Sequence, residues 1–325
     1  MKSLAPYVMR RLGHGVITVA AIIVLNFIIL HLAPGDTVDL LAGEFGAADP
    51  QYLADLRARF GLDQPLYIQL GQYFWNVLQL DLGYSFRNAT PVLNLIVARL
   101  PATLILMLTA ILVAFTAGLL LGVISARRVN TLTDDVISVL ALLFYATPLF
   151  WLGLMGIVLF SVKLGWLPTG GMYTIGGRYN WLQSALDVGR HLILPAMTLA
   201  LYHMAIYTRL MRASMLEVYN LDYIRTARSK GLMPRRIAFR HVLPNAVLPM
   251  VTMVGIQIGT LLGGAVMIET VFNWPGLGRL AFDAVFQRDY NLLLGTMLFA
   301  SSLVVVINIF TDLIYAVLDP RIGIS

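Results

Sequence analysis

The stretch MLEVYNLDYIRTARSKGLMPRRIAFRHVLP, Met215–Pro244, is too polar to sit in lipid yet is patterned to meet a partner. Leu216, Tyr219, Tyr223 and Ala227 recur at helical steps, with Arg225, Arg228 and Lys230 on the other faces. Gly231 supplies a stop. Pro234 suits the first turn of a second short helix that runs through Arg240 into Leu243-Pro244. A helix–glycine–helix hairpin in a polar loop reads as a docking element, and the chain on either side of it decides what it serves.

That flanking chain is built for lipid. Of 325 residues, 58% are hydrophobic and 12% charged, outside the usual range of a soluble domain. The first apolar run, Leu12–Ala33, follows Lys2, Arg10 and Arg11, and its clearly polar residues are His14, Asn26 and His31. About 20 residues at 1.5 Å rise cover a hydrocarbon core of about 30 Å. The run is longer than a signal peptide's and lacks a small-residue exit site, so it reads as an uncleaved first helix. Five more spans are expected near Ala102–Ser125, Val136–Val162 with a kink at Pro148, Leu192–Thr208, Ala246–Ile268 and Leu292–Ile314. Gly255, Gly259 and Gly263 leave one stripe of the fifth span nearly bare, with Gln257 and Thr260 nearby. Such a stripe serves tight packing inside the subunit, or it faces a pore or a partner subunit.

Six spans put both termini on one side, and the basic residues choose it. Arg209–Arg240 carries eight Lys and Arg against Glu217 and Asp222, and the N-terminus carries three. Pro34–Pro101 instead carries seven acids and four bases. Basic segments stay in the cytoplasm, which places the termini and the 209–244 loop inside and the 34–101 loop outside. Within that outer loop, Gln51–Phe60 and Leu66–Leu80 have helical spacing and are expected to form short helices on the outer face. No tandem repeat or long linker divides the chain, so residues 1–325 read as a single all-α membrane domain. The net charge of +6 sits between apolar runs, which argues for membrane lipid and against nucleic acid as its counterpart.

Chemistry is hard to place on such a chain. None of its three lysines, Lys2, Lys163 and Lys230, follows a glycine, so the phosphate-binding lysine of a P-loop is missing. Cysteine is absent, and the five histidines, His14, His31, His191, His203 and His241, are scattered and read as packing or interfacial residues rather than metal ligands. Glu269 and Asp312 lie near span ends and read as end-of-helix polar residues, which leaves little for a proton or cation relay. An ion-coupled secondary transporter is therefore the second choice, and a membrane-embedded enzyme the third.

Arg225-Thr226-Ala227, three residues, Gly231, nine residues, then His241-Val-Leu243-Pro244 resembles the EAA loop of ABC importer permeases, patterned Glu-Ala-Ala, Gly, Ile-x-Leu-Pro. The spacing matches, while the first two letters and the Ile differ. Asp222-Tyr-Ile-Arg-Thr-Ala-Arg-Ser-Lys-Gly231 is similar to the version in the dipeptide, oligopeptide and nickel branch. Leu62-Asp-Gln-Pro65, Asp81-Leu-Gly-Tyr-Ser85, Arg99-Leu-Pro-Ala-Thr103, Glu269-Thr-Val-Phe-Asn-Trp-Pro-Gly-Leu-Gly278 and Leu318-Asp-Pro-Arg-Ile322 resemble signatures of the first, B-type permease of that branch.

The resemblance implies a six-helix subunit of type I importer-like fold in a bacterial inner membrane. It pairs with a second, similar permease, two cytoplasmic ATPases and an external solute-binding protein. ATP and Mg are held by the ATPases, with no cofactor or metal on this chain. The residues Tyr223, Arg225, Thr226, Ala227, Arg228, Gly231, His241, Leu243 and Pro244 would form the ATPase-coupling interface. Trp274, Pro275, Gly276 and Arg279 would belong to an outer gate or binding-protein docking surface, the alternative being a purely structural turn. Peptides are the substrate by default, with nickel chelates, glutathione or glycosides as the branch's other choices.

Overall fold

The computed structural model describes residues 5–32, 63–177 and 179–318. The expected helix Gln51–Phe60 and the end of the C-terminal motif lie outside them, as does the side chain of Asp312. Apart from one hairpin of two-residue strands, β1 (Tyr84–Ser85) and β2 (Thr90–Pro91), the described elements are helices. They gather into two compact units, the first drawn from Met1–Ala98 and Ala281–Ile309, the second from Arg99–Leu280 and Phe310–Asp319.

In the first unit, α1 (Ala5–Leu32) packs against α12 (Tyr290–Leu318), and a Cβ at Gly15 would lie 2.7 Å from Ile309 Cδ1. Asn26, polar in an apolar run, is buried and donates to the Leu294 carbonyl at 3.2 Å. This answers the cost of placing an amide away from water. The His31 ring bonds the Phe27 carbonyl and the side chain of Gln69 on α2 (Leu66–Leu78). The β-hairpin is tied to the start of α12: buried Ser85 donates to Asp289, whose other oxygen accepts the Leu292 N–H at 3.1 Å, and Asn291 Nδ2 donates to the Tyr84 carbonyl.

The second unit holds most of α3 (Val92–Arg127), then α4 (Leu132–Ala146), α5 (Leu149–Gly156) continued by a π-helical turn to Lys163, and α6 (Trp181–Tyr219). After them come α7 (Asp222–Ser229), α8 (Pro234–Ile237), a second π-helical turn, α9 (Leu243–Ala246), α10 (Leu248–Val271) and the start of α11 (Leu277–Gln287). Two glycines outside the expected stripe set a close helix approach. A Cβ at Gly118 or Gly122 of α3 would lie 2.4 Å from Tyr207 Cβ or 2.5 Å from Met211 Cβ of α6, so only bare backbone fits there.

Among the described residues, four runs are long and apolar enough to cross a membrane: Met9–Leu32, Val92–Arg127, Pro234–Gly255 and Tyr290–Thr311. The expected span Val136–Val162 is not one straight helix. It breaks between α4 and α5 with a bend of 103°, far more than a kink. Thr147 before Pro148 is extended, as the residue preceding a proline tends to be, and proline offers no N–H to continue the ladder. Thr147 Oγ1 adds a bond at 2.6 Å to the Leu143 carbonyl, which also accepts the Thr147 N–H at 3.0 Å as the last rung of α4. The expected span Leu192–Thr208 lies inside α6, whose 39 residues reach about 58 Å, well beyond a hydrocarbon core. The helix therefore runs straight through Arg209 to Tyr219, where the charge pattern alone reads as a loop. Large apolar side chains such as Leu108, Leu112, Val139 and Leu142 stay exposed on α3 and α4, surface suited to lipid or another subunit.

Candidate functional site

The helix expected from Leu216, Tyr219, Tyr223 and Ala227 is two helices with a corner at Asn220-Leu221. The short α7 buries Ile224 and Ala227 and leaves Asp222, Tyr223, Arg225, Thr226, Arg228, Ser229 and Lys230 exposed. Its apolar face joins a core with Val123 and Ala126 of α3 and with Met211, Met215 and Val218 of α6. The polar face is left to meet something else.

Gly231 ends α7 in the left-handed region at φ 73°. The Leu232 N–H reaches the Ala227 carbonyl at 3.3 Å and the Gly231 N–H the Arg228 carbonyl at 2.9 Å. These paired bonds close a helix through a left-handed residue and satisfy its last carbonyls. No atom lies within 4 Å of where a Cβ would stand, so the demand for glycine is conformational and not one of space. Pro234 then opens α8, as expected.

Of the expected interface residues, Tyr223, His241 and the chain after it meet: Asn245 Nδ2 donates to the His241 carbonyl at 2.8 Å and to the Tyr223 hydroxyl at 3.2 Å. Arg127 at the end of α3 lies 5.4 Å over the Phe239 ring, and Arg228 lies 5.8 Å over Tyr219. Leu243 is half-buried and Pro244 exposed where α9 begins. The segment is thus clasped to its own unit on one side and open on the other.

The Trp274 turn is a second construction. Glu269 closes α10, and its carboxylate is wholly buried. It accepts Thr103 Oγ1 at 2.6 Å, the Arg279 N–H at 3.0 Å and the Gly278 N–H. The Leu277 N–H goes to Thr103 Oγ1 at 2.8 Å. Three orphan donors at the N-terminus of α11 are thereby satisfied, and negative charge sits at the positive end of a helix. Trp274 has 0% exposure and donates its indole N–H to the Ala102 carbonyl at 2.9 Å. The motifs Arg99–Thr103 and Glu269–Gly278 are one knot. A Cβ at Gly276 would lie 2.1 Å from Glu269 Oε1, and one at Gly278 2.6 Å from Val266 Cα, so both glycines are spatial requirements. Glu269 stands at a helix end as expected, but that end is buried. Its desolvation is balanced by hydrogen bonds instead of water.

Asp134 and Arg212 also went unread in the sequence. Asp134, 3% exposed in the first turn of α4, takes a two-pronged bond from Arg212 of α6, 2.7 Å on each oxygen. Ser125 Oγ and the Asn130 N–H complete its shell. In the expected Gly255, Gly259 and Gly263 stripe, all on α10, Gly255 is buried and Gly259 half-buried. Among the described residues no group of three or more His, Asp or Glu is placed to hold a metal ion.

Two family models match the chain. Residues 118–324 match "Binding-protein-dependent transport system inner membrane component", and residues 4–107 match "Binding-prot-dependent transport system membrane comp, N-term". The chain belongs to this family of inner-membrane permeases.

Its relatives share nearly the whole permease. The di/tripeptide transport system permease protein DppB of Pseudomonas aeruginosa (strain UCBPP-PA14) is 42% identical over 97% of this chain and 98% of its own. The oligopeptide transport system permease protein AppB of Bacillus subtilis (strain 168) is 41% identical over 98% and 99%, and the dipeptide transport system permease protein DppB of Escherichia coli (strain K12) is 39% identical over 97% and 98%. The B-type branch read from the motifs is therefore correct. Among solved structures, an inward-facing MetNI methionine ABC transporter matches with a TM-score of 0.55 and 20% identity, over 69% of this permease and 96% of that chain. That likeness carries the fold alone.

Proposed function

We propose that this permease is one half of the membrane pathway of an ATP-driven peptide importer. The identity to peptide permeases along almost the full chain carries the reading. Residues 1–325 act as one permease domain of six spans with both termini in the cytoplasm, α4–α5 being one bent span and α6 another that projects inward. A second, similar permease completes the pathway. Two ATPases bind ATP and Mg and supply the energy, and an external binding protein delivers the peptide.

The exposed face of Arg225–Gly231 is the coupling element that enters a groove of an ATPase. Its support is the division of labour on α7, apolar residues held by the permease and polar residues left open. Closure of the ATPases moves α7, and the bundle rocks between outward- and inward-open states. The burial of Trp274 supports the structural alternative for its turn: a side chain without exposed surface offers nothing to a docking protein.

Topology is tested on a chain that has no cysteine of its own. Ser229 and Asn273 are both exposed. In intact inverted and right-side-out vesicles, Ser229→Cys is expected to react with an impermeant maleimide only from the cytoplasmic face and Asn273→Cys only from the outer face. Reversed labelling overturns the topology. The transport reading is tested by uptake of a labelled dipeptide into proteoliposomes holding the whole complex. Import that requires ATP and the binding protein supports it; import driven by a proton or sodium gradient without ATP returns the chain to the secondary carriers.

A further inference from the structure

We infer that the Asp134–Arg212 pair is a positioning device of transport, locking the inner end of the bent α4–α5 segment to α6 so that displacement of α7 reaches α4 as a rigid movement. The inference rests on the importer reading and names residues that its coupling interface does not include.

Placement is the first argument. α6 is unbroken to Tyr219 and turns into α7 within two residues, so α7 cannot be displaced without loading the end of α6. Arg212 lies two turns before that end. It reaches across 78 residues of sequence to the first turn of α4, the arm that ends at the 103° break. The pair therefore bridges the helix that carries the docking element and the bent arm that ends at the 103° break.

Geometry is the second. Apolar packing lets helices slide or roll by small amounts, whereas a guanidinium fork on a carboxylate fixes distance and rotation together. The remaining lone pairs of Asp134 are used by Ser125 Oγ of α3 and by the Asn130 N–H in the α3–α4 turn. Asn130 itself sits at φ 59°, so the turn is shaped around the carboxylate. One side chain thus gathers α3, α4 and α6 at a single point. With Asp134 buried and the Arg212 side chain 31% exposed, the pair contributes little net stability relative to an apolar pair of similar volume, but it is strongly directional. Its directional property is the one this location uses.

The test compares Asp134→Asn, which keeps shape and loses charge, with the double variant Asp134→Leu/Arg212→Met, which keeps apolar packing and loses the fork. Each is made in the full complex with its ATPases and binding protein in proteoliposomes. The readout is labelled dipeptide imported per ATP hydrolysed, a ratio that a proportional loss of folded complex leaves unchanged. Both variants are expected to assemble and hydrolyse ATP, with the ratio lowered about 10-fold, within the usual range of coupling energies. Arg212→Lys, which keeps the charge but not the fork, is expected to fall between them and the wild type. An unchanged ratio in an assembled variant overturns the inference, and so does failure of both Asp134→Asn and the double variant to assemble, which assigns the pair to assembly. A wild-type complex that hydrolyses ATP without importing peptide overturns the importer reading itself.

Discussion

Gly231→Val is expected to insert and assemble as the wild type does, yet to lose most ATP-driven uptake. A β-branched residue at φ 73° is a conformational outlier costing about 1–2 kcal/mol or more, and relief requires the backbone to leave the left-handed region. The bonds from Leu232 and Gly231 to the Ala227 and Arg228 carbonyls then open, and the angle between α7 and α8 changes. Nothing crowds the site, so the membrane part of the subunit has no reason to unfold. The expected signature is wild-type yield of complex with uptake reduced by about 10-fold or more, a coupling loss of ordinary size. Gly231→Asn, which tolerates left-handed φ, should lose far less. The check is parallel measurement of complex yield, ATPase rate and uptake; normal uptake by Gly231→Val refutes the coupling role of this corner.

Gly276→Val should fail in the opposite way, by losing the protein before the function. The added Cβ falls 2.1 Å from Glu269 Oε1 in a wholly buried site, so the start of α11 must leave the carboxylate. A buried charge that loses its partners costs about 3–5 kcal/mol. At about 2–4 °C per kcal/mol for a chain of this class, the apparent unfolding midpoint of the purified complex should fall by on the order of 10 °C. Glu269→Gln, which keeps the shape and two acceptor lone pairs, should fall much less. Trp274→Ala belongs with Gly276→Val, because emptying a fully buried indole site costs about 3–5 kcal/mol. Loss of binding-protein-stimulated ATPase in that variant speaks for a gate only if the complex stays whole. An unchanged midpoint in Gly276→Val contradicts the knot.

These two glycines show where a sequence can be read and where it cannot. Gly231 is legible because its demand is local: an amphipathic helix, a glycine and a proline three residues on dictate a left-handed corner without reference to the rest of the chain. Gly276 belongs to a motif, but its reason is Glu269 brought back by the turn and Thr103 brought from 166 residues away. Hydropathy assigns Glu269 to the wet end of a helix, because the carboxylate's partners are backbone N–H groups that composition does not report. Asp134 and Arg212 are hidden because the fold pairs them across 78 residues of sequence, each looking like an ordinary charge beside a span.

The spans were largely legible from apolar length, and their ends were not. α6 continues through Arg209 and Arg212 because a helix leaving the bilayer has no cause to stop at water while Met211, Met215 and Val218 on its other face still pack in a core with Val123, Ala126 and Ile224. Pro148 announces an interruption, but the size of the bend depends on what α4 and α5 pack against. The Gly255, Gly259 and Gly263 stripe drew attention by its spacing, whereas Gly118 and Gly122 proved to face Tyr207 and Met211. Small residues in an apolar run mark a close approach without naming the partner helix.

Whether this chain is the membrane subunit of an ATP-driven importer is decided by isolating the tagged chain from its native host in mild detergent. Mass spectrometry of the co-purifying proteins and an ATPase assay of the eluate are then made together. A second permease and one or two P-loop ATPases are expected, with ATP hydrolysis in the eluate. A solitary chain without ATPase activity, recovered from intact membranes, would contradict it.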